Sequence, residues 1–161
     1  MTSKKSLQPT KYAKSKYNIT QPVDFEVALN YTTILMAIAG ADGELDPGEL
    51  QWYLDEQELL LVDTKEYIEA IHKIDWKNAN LDQLLKEIKY DFPLNFRRTM
   101  LYQAIKMCRG DREYHDQEKA AIAKAAETLG IEKNVLTSIE SLIELEEATE
   151  RLRLSLFETE I

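Results

Sequence analysis

The stretch Ala39-Gly40-Ala41-Asp42-Gly43-Glu44-Leu45-Asp46-Pro47-Gly48-Glu49 decides how this chain is read. Asp46, Pro47 and Glu49 spell a helix start. Asp46 is an acidic N-cap, Pro47 sits at the first helical position, where its missing N–H costs nothing, and Glu49 is placed to complete a capping box. Upstream, Val27, Tyr31, Ile34, Leu35 and Ile38 recur at three- and four-residue steps, the stripe of an amphipathic helix that Gly40 is placed to stop. The stretch therefore reads as an acidic turn between two helices.

A shift of 69 residues brings the design back: Asp42, Glu44 and Glu49 match Asp111, Glu113 and Glu118 in the pattern D-x-E-x-x-x-x-E. The register persists, with Leu60, Val62 and Asp63 aligning with Leu129, Ile131 and Glu132. The second turn is preceded by a helix opened by Pro93 and striped with Leu94, Leu101, Ala104, Ile105 and Cys108. It is followed by one from near Asp116 to Gly130. Two short helices, starting at Asp63 or Thr64 and at Asn80, separate the copies, and a long one from about Lys133 to Phe157 closes the chain, with Ile139, Leu142, Ile143 and Leu152 among its buried candidates. The expectation is all-α: one compact domain over residues 23–161 with about seven helices, no convincing strand, and two pseudo-repeated helix-turn-helix units. Packed about a pseudo-twofold axis, these units would bring the acidic turns together.

Composition agrees. In 161 residues there are only five Gly and four Pro, too few turn-formers for a β-sandwich or barrel. No apolar run approaches the roughly 18 residues of a membrane span. Lys4, Lys5, Lys11, Lys14 and Lys16 stand in the first 22 residues with no acid among them, so of the net −9 the rest of the chain carries −14. Residues 1–22 read as a basic arm, flexible or loosely docked, with ordered structure beginning near Val23. Tyr12 and Tyr17 suit contact with an acidic partner, with single-stranded nucleic acid, or with the negative body of this or another copy, so a homo-oligomer stays open. A body this acidic repels duplex nucleic acid and attracts cations. The absence of an apolar leader after Lys4 and Lys5, with Cys108 as the one cysteine, fits a cytoplasmic protein.

Six carboxylates in one place need neutralising, since two like charges about 6 Å apart repel by ~3 kcal/mol at an effective dielectric near 20. Hard cations such as Ca²⁺ or Mg²⁺ take carboxylate oxygens, and His115 adds a nitrogen suited to Zn²⁺. The turns are not EF-hands. Pro47 replaces the glycine of the sixth loop position and Tyr53 the bidentate Glu of the twelfth, while Ile122 stands at the twelfth in the second copy. Glu49 also has a plain role as a capping-box acid, and His115 a plain role as a surface histidine. His72 draws no function, and Cys108 continues an apolar stripe as core packing.

At these residues the sequence resembles the tellurite-resistance TerB-like family. The segment from Ala39 to Glu49 is similar to its first A-x-A-D-G-E-x-x-x-x-E motif, and Gly110-Asp-Arg-Glu-Tyr-His-Asp-Gln-Glu118 with Leu129-Gly130-Ile131 to its second. The similarity covers roughly residues 23–145. It implies an all-helical protein with a divalent-cation site at Asp42, Glu44, Glu49, Asp111, Glu113 and Glu118, and a role in resistance to tellurite and related chemical or phage stress. The expected function is then a non-enzymatic cation-binding module that docks partner proteins of a stress-response complex. The alternative is a metal-free interaction adaptor in which Arg112 and the helix N-termini satisfy the acids. No nucleophile-plus-base constellation favours an enzyme.

Overall fold

The computed structural model describes residues 5–109 and 114–158. They form β1 (Ser6–Leu7), α1 (Lys11–Tyr17), β2 (Val23–Asp24), α2 (Phe25–Ala39), α3 (Pro47–Leu60), α4 (Lys65–Ile71), a 3-10 turn at Trp76–Asn78, α5 (Leu81–Asp91), α6 (Leu94–Cys108), α7 (Asp116–Thr128) and α8 (Lys133–Phe157). All seven expected helices are present and the fold is all-α, with α1 as an eighth helix and a two-residue strand pair as its only sheet among the described residues. No described helix is long and apolar enough to cross a membrane.

Capping chemistry sets the helix starts. Asp24, Asp46 and Asn80 each accept a backbone N–H in the first turn of their helices, from Val27 at 3.1 Å, Gly48 at 2.7 Å and Gln83 at 3.1 Å. The core forms where α2 and α6 cross. Ile34, Leu35 and Ile38 from α2 and Met100, Leu101 and Ile105 from α6 are essentially inaccessible to water. The other elements pack around this pair, α3 and α7 against α6, α5 against α2 and α7, and α8 against α6. The two repeated units thus face each other through their first helices.

Gly40 ends α2 for a reason other than a left-handed cap. Its φ is −92°, an ordinary value, but a Cβ there would stand 2.3 Å from the Trp76 ring. The indole packs against the helix end, and only a hydrogen side chain leaves it room.

The basic arm is more firmly held than its composition suggests. β1 pairs antiparallel with β2, matching Ser6 to Asp24 and Leu7 to Val23, and Pro9 bridges to Leu61. The Thr10 N–H donates to the Leu60 carbonyl at 2.9 Å, and the Val62 N–H to that of Gln8 at 2.9 Å. Leu7 and Ala13 are buried. Ordered structure therefore begins ahead of Val23, because a few apolar residues among the lysines find the core and backbone pairing fixes the rest. The arm folds onto its own body. Glu56, nearly buried on α3, accepts from the Tyr17 hydroxyl at 2.9 Å and lies 3.6 Å from the Lys16 ammonium, which also sits over the rings of Tyr12, Tyr17 and Tyr102.

α8 departs from expectation in its second half. Ile139 and Ile143 are buried, but Leu142 and Leu152 are 49% and 62% exposed, since they lie on the side of the helix turned away from Ile143. Its acids are not simply solvated. Glu146 accepts from the Tyr102 hydroxyl at 2.8 Å, and Glu147 pairs with Arg109 at 2.6 Å.

Replacing Gly40 with alanine should displace Trp76 and destabilise the fold by about 1–3 kcal/mol, the usual range for overpacking. Denaturant unfolding reads the loss, and a shift in tryptophan emission reads the displaced ring. A second expectation concerns pH. Buried Tyr53 and Tyr67 each have a hydroxyl 2.8 Å from Thr32 Oγ1, and burial pushes Tyr67 up to about 12 and Tyr53 well above its usual value. A tyrosine whose folded pKa is raised favours the native state up to its unfolded pKa, near 10, and loses that contribution as pH climbs through the folded one. Stability should hold to about pH 10 and fall from there toward 12, with tyrosinate absorbance from these rings rising only as the protein unfolds.

Candidate metal centre

The start of α3 positions the first carboxylate. Glu49 is the third residue of the helix, and its Oε1 accepts the Asp46 N–H at 3.1 Å. The start of α7 repeats the arrangement, Glu118 Oε1 accepting the His115 N–H at 3.0 Å. Each bond fixes a rotamer that turns the second oxygen inward. Because α2 and α6 pack face to face, the two helix starts converge. Glu49 and Glu118, 2% and 0% exposed, meet beneath the turns with fully buried Cys108. One carboxylate oxygen from each and the Cys108 Sγ all lie within 4.8 Å of one another. Glu118 Oε2 is buried and has no hydrogen-bond partner among the described residues.

The other sequence candidates are arranged differently. Asp42 and Glu44 are exposed, and Asp42 Oδ1 accepts the Glu44 N–H at 3.1 Å, which shapes the turn. They line an open surface depression with Glu49, His115, His72 and Trp76. Glu49 thus belongs both to this depression and to the buried trio. Asp111 and Glu113 lie outside the described residues, as does Arg112. Of the seven candidates, Glu49 and Glu118 are brought into contact range at the centre, and Asp42, Glu44 and His115 surround the approach.

Two residues gain a place here that sequence reasoning did not give them. Cys108 is core packing as expected, but its sulfur faces the paired carboxylates. The 69-residue register carries a signal for this, since Cys108 falls opposite Ala39, at the last residue of the helix before each turn. His72 reaches the depression from the C-terminal end of α4, and nothing in its local sequence points there.

Three converging buried donors, one of them on a carboxylate whose second oxygen has no partner among the described residues, could hold a cation. The donor types matter. Ca²⁺ takes six to eight oxygens, about twice what the centre gathers, whereas Zn²⁺ accepts four ligands and favours thiolate and imidazole beside carboxylate.

No protein-family model matches the sequence, and no curated protein matches it. Among solved structures, the chain is similar to the crystal structure of a tellurite resistance protein from Nostoc punctiforme, with a TM-score of 0.70 and 25% sequence identity over 92% of this chain and 95% of that one. The likeness extends well beyond the two motifs, over 92% of this chain. The resemblance to the TerB-like tellurite-resistance family, first carried by two acidic turns, holds across nearly the whole fold.

Proposed function

We propose that this protein is a non-enzymatic, divalent-cation-binding helical module of tellurite and chemical stress resistance, working in the cytoplasm and docking partner proteins over its surface. The observation that carries the reading is the meeting of Glu49 and Glu118 from the two repeated units, with Glu118 Oε2 buried and without a hydrogen-bond partner among the described residues. Glu49, Cys108 and Glu118 would hold the ion, and the exposed Asp42 and Glu44 would draw it toward the depression. The likeness to a tellurite resistance protein supports the biological setting. A thiol among few oxygens favours Zn²⁺ over Ca²⁺ and Mg²⁺. A bound ion would tie the starts of α3 and α7 together and make the relative setting of the two units depend on metal supply.

The metal-free adaptor reading has one observation in its favour, the backbone N–H that each buried glutamate already accepts as a helix cap.

Calorimetric titration of chelator-treated protein with Zn²⁺, Ca²⁺, Mg²⁺ and Mn²⁺ separates the two readings. Zn²⁺ should bind tightest, and at a free concentration about 100 times its dissociation constant it should add about 2.7 kcal/mol to stability. Glu118→Gln, which keeps the shape and removes the charge, should abolish that gain, and Cys108→Ser should weaken Zn²⁺ more than Ca²⁺. Absence of heat with every ion, and a melting temperature indifferent to chelator, would leave the adaptor.

A further inference from the structure

The second half of α8 carries an apolar seam that the rest of the described chain leaves largely exposed. After Ile143 the helix continues for about 21 Å, close to four turns. Leu142, Leu145, Thr149, Leu152 and Leu156 follow one another at steps of three, four, three and four. That is the a/d spacing of a coiled coil. The four leucines are 49%, 67%, 62% and 66% exposed, and on the helical wheel the seam points away from Ile143, the residue that anchors α8 to the body. Singly exposed leucines need no explanation, but a regular row of them does.

The flanks of the seam identify the occupant. One flank holds Glu146 and Arg153, the other Ala148 and Ser155. When two copies of this helix are set antiparallel, with Leu145 opposite Leu156 and Thr149 opposite Leu152, the same register places Glu146 opposite Arg153 and Ala148 opposite Ser155. Every opposite-charge pair occurs twice, and the small residues meet where the backbones come closest. A parallel pair offers no such match, because each charged flank would then face the small one. The antiparallel arrangement also keeps the two bodies at opposite ends of the paired helices, so neither obstructs the other. Glu146 is held in place by the Tyr102 hydroxyl at 2.8 Å, and among the described residues Arg153 pairs with the exposed Glu150 of its own helix alone.

We infer that the protein self-associates through the projecting half of α8, as an antiparallel two-helix pair with a second copy of the chain. The seam is short, so the dimer forms by mass action at high protein concentration. The candidate metal centre of Glu49, Cys108 and Glu118 shares no residue with this seam, and pairing does not depend on it.

Sedimentation velocity of the whole protein, from low micromolar to several hundred micromolar, tests the inference. The wild type should move from the monomer of 18.7 kDa toward twice that mass. Leu152→Asp, an exposed position that folding does not need, should raise the dissociation constant roughly hundredfold or more, as loss of one buried leucine per copy requires. Glu146→Arg and Arg153→Glu should each weaken pairing alone, while an equimolar mixture of the two should recover it, with circular dichroism confirming that both are folded. A wild type that stays monomeric throughout, or a Leu152→Asp variant that pairs as well as the wild type, would overturn the dimer. Failure of the mixture to recover, with Leu152→Asp disruptive, would overturn the antiparallel register.

Discussion

A carboxylate that closes a capping box cannot choose where its second oxygen points. Glu49 and Glu118 each spend one oxygen on the backbone N–H at the start of their own helices, at 3.1 and 3.0 Å. That local bond would leave two unrelated surface acids if α2 and α6 did not cross at the centre of the molecule. Because they do, the two helix starts are driven together and the remaining oxygens are trapped beside the Cys108 sulfur. Burying two acids is unfavourable unless something positive comes with them. The exposed Asp42 and Glu44 of the first turn, with His115, line the surface depression that Glu49 also borders.

The duplication ties the core and the glutamate pair to the same helices. Each unit supplies one helix to the central crossing and one helix start to the centre, so packing and site come from the same residues. Ile34 and Ile38 on one side and Met100 and Ile105 on the other fix how closely the two starts approach. A change of one methylene at the crossing therefore acts on the separation of the carboxylates as well as on stability.

Much of this was legible in the sequence, for identifiable reasons. Capping signals are local, and Asp46-Pro47 with Glu49 marked the start of α3 to the residue. The 69-residue register was enough to pair Glu49 with Glu118 without any knowledge of packing. What it could not show was depth: Asp42 and Glu44 share a motif with Glu49 yet stand in water, because they belong to the turn and Glu49 to the first turn of a helix whose inner face is buried. The arm was read from its lysines as loosely attached. Ala13 and Leu7 decide otherwise, and two small apolar residues among five lysines carry little weight in a composition. In α8, Leu142 and Leu152 looked like core because periodicity reports a face and not what lies opposite it. The body ends before the helix does.

The chain contains two tryptophans, and the fold has put them in separate places. Trp76 rests on the end of α2 and lines the depression with Asp42, Glu44 and His115. Trp52, on α3, lines the groove between the body and the projecting part of α8, near Glu146 and Arg109. Indole emission responds to the polarity and charge immediately around the ring, so each fluorophore watches one region and is blind to the other. With one tryptophan replaced at a time, the molecule becomes its own optical reporter, able to tell an event at the acidic mouth from one at the helical arm without any added label.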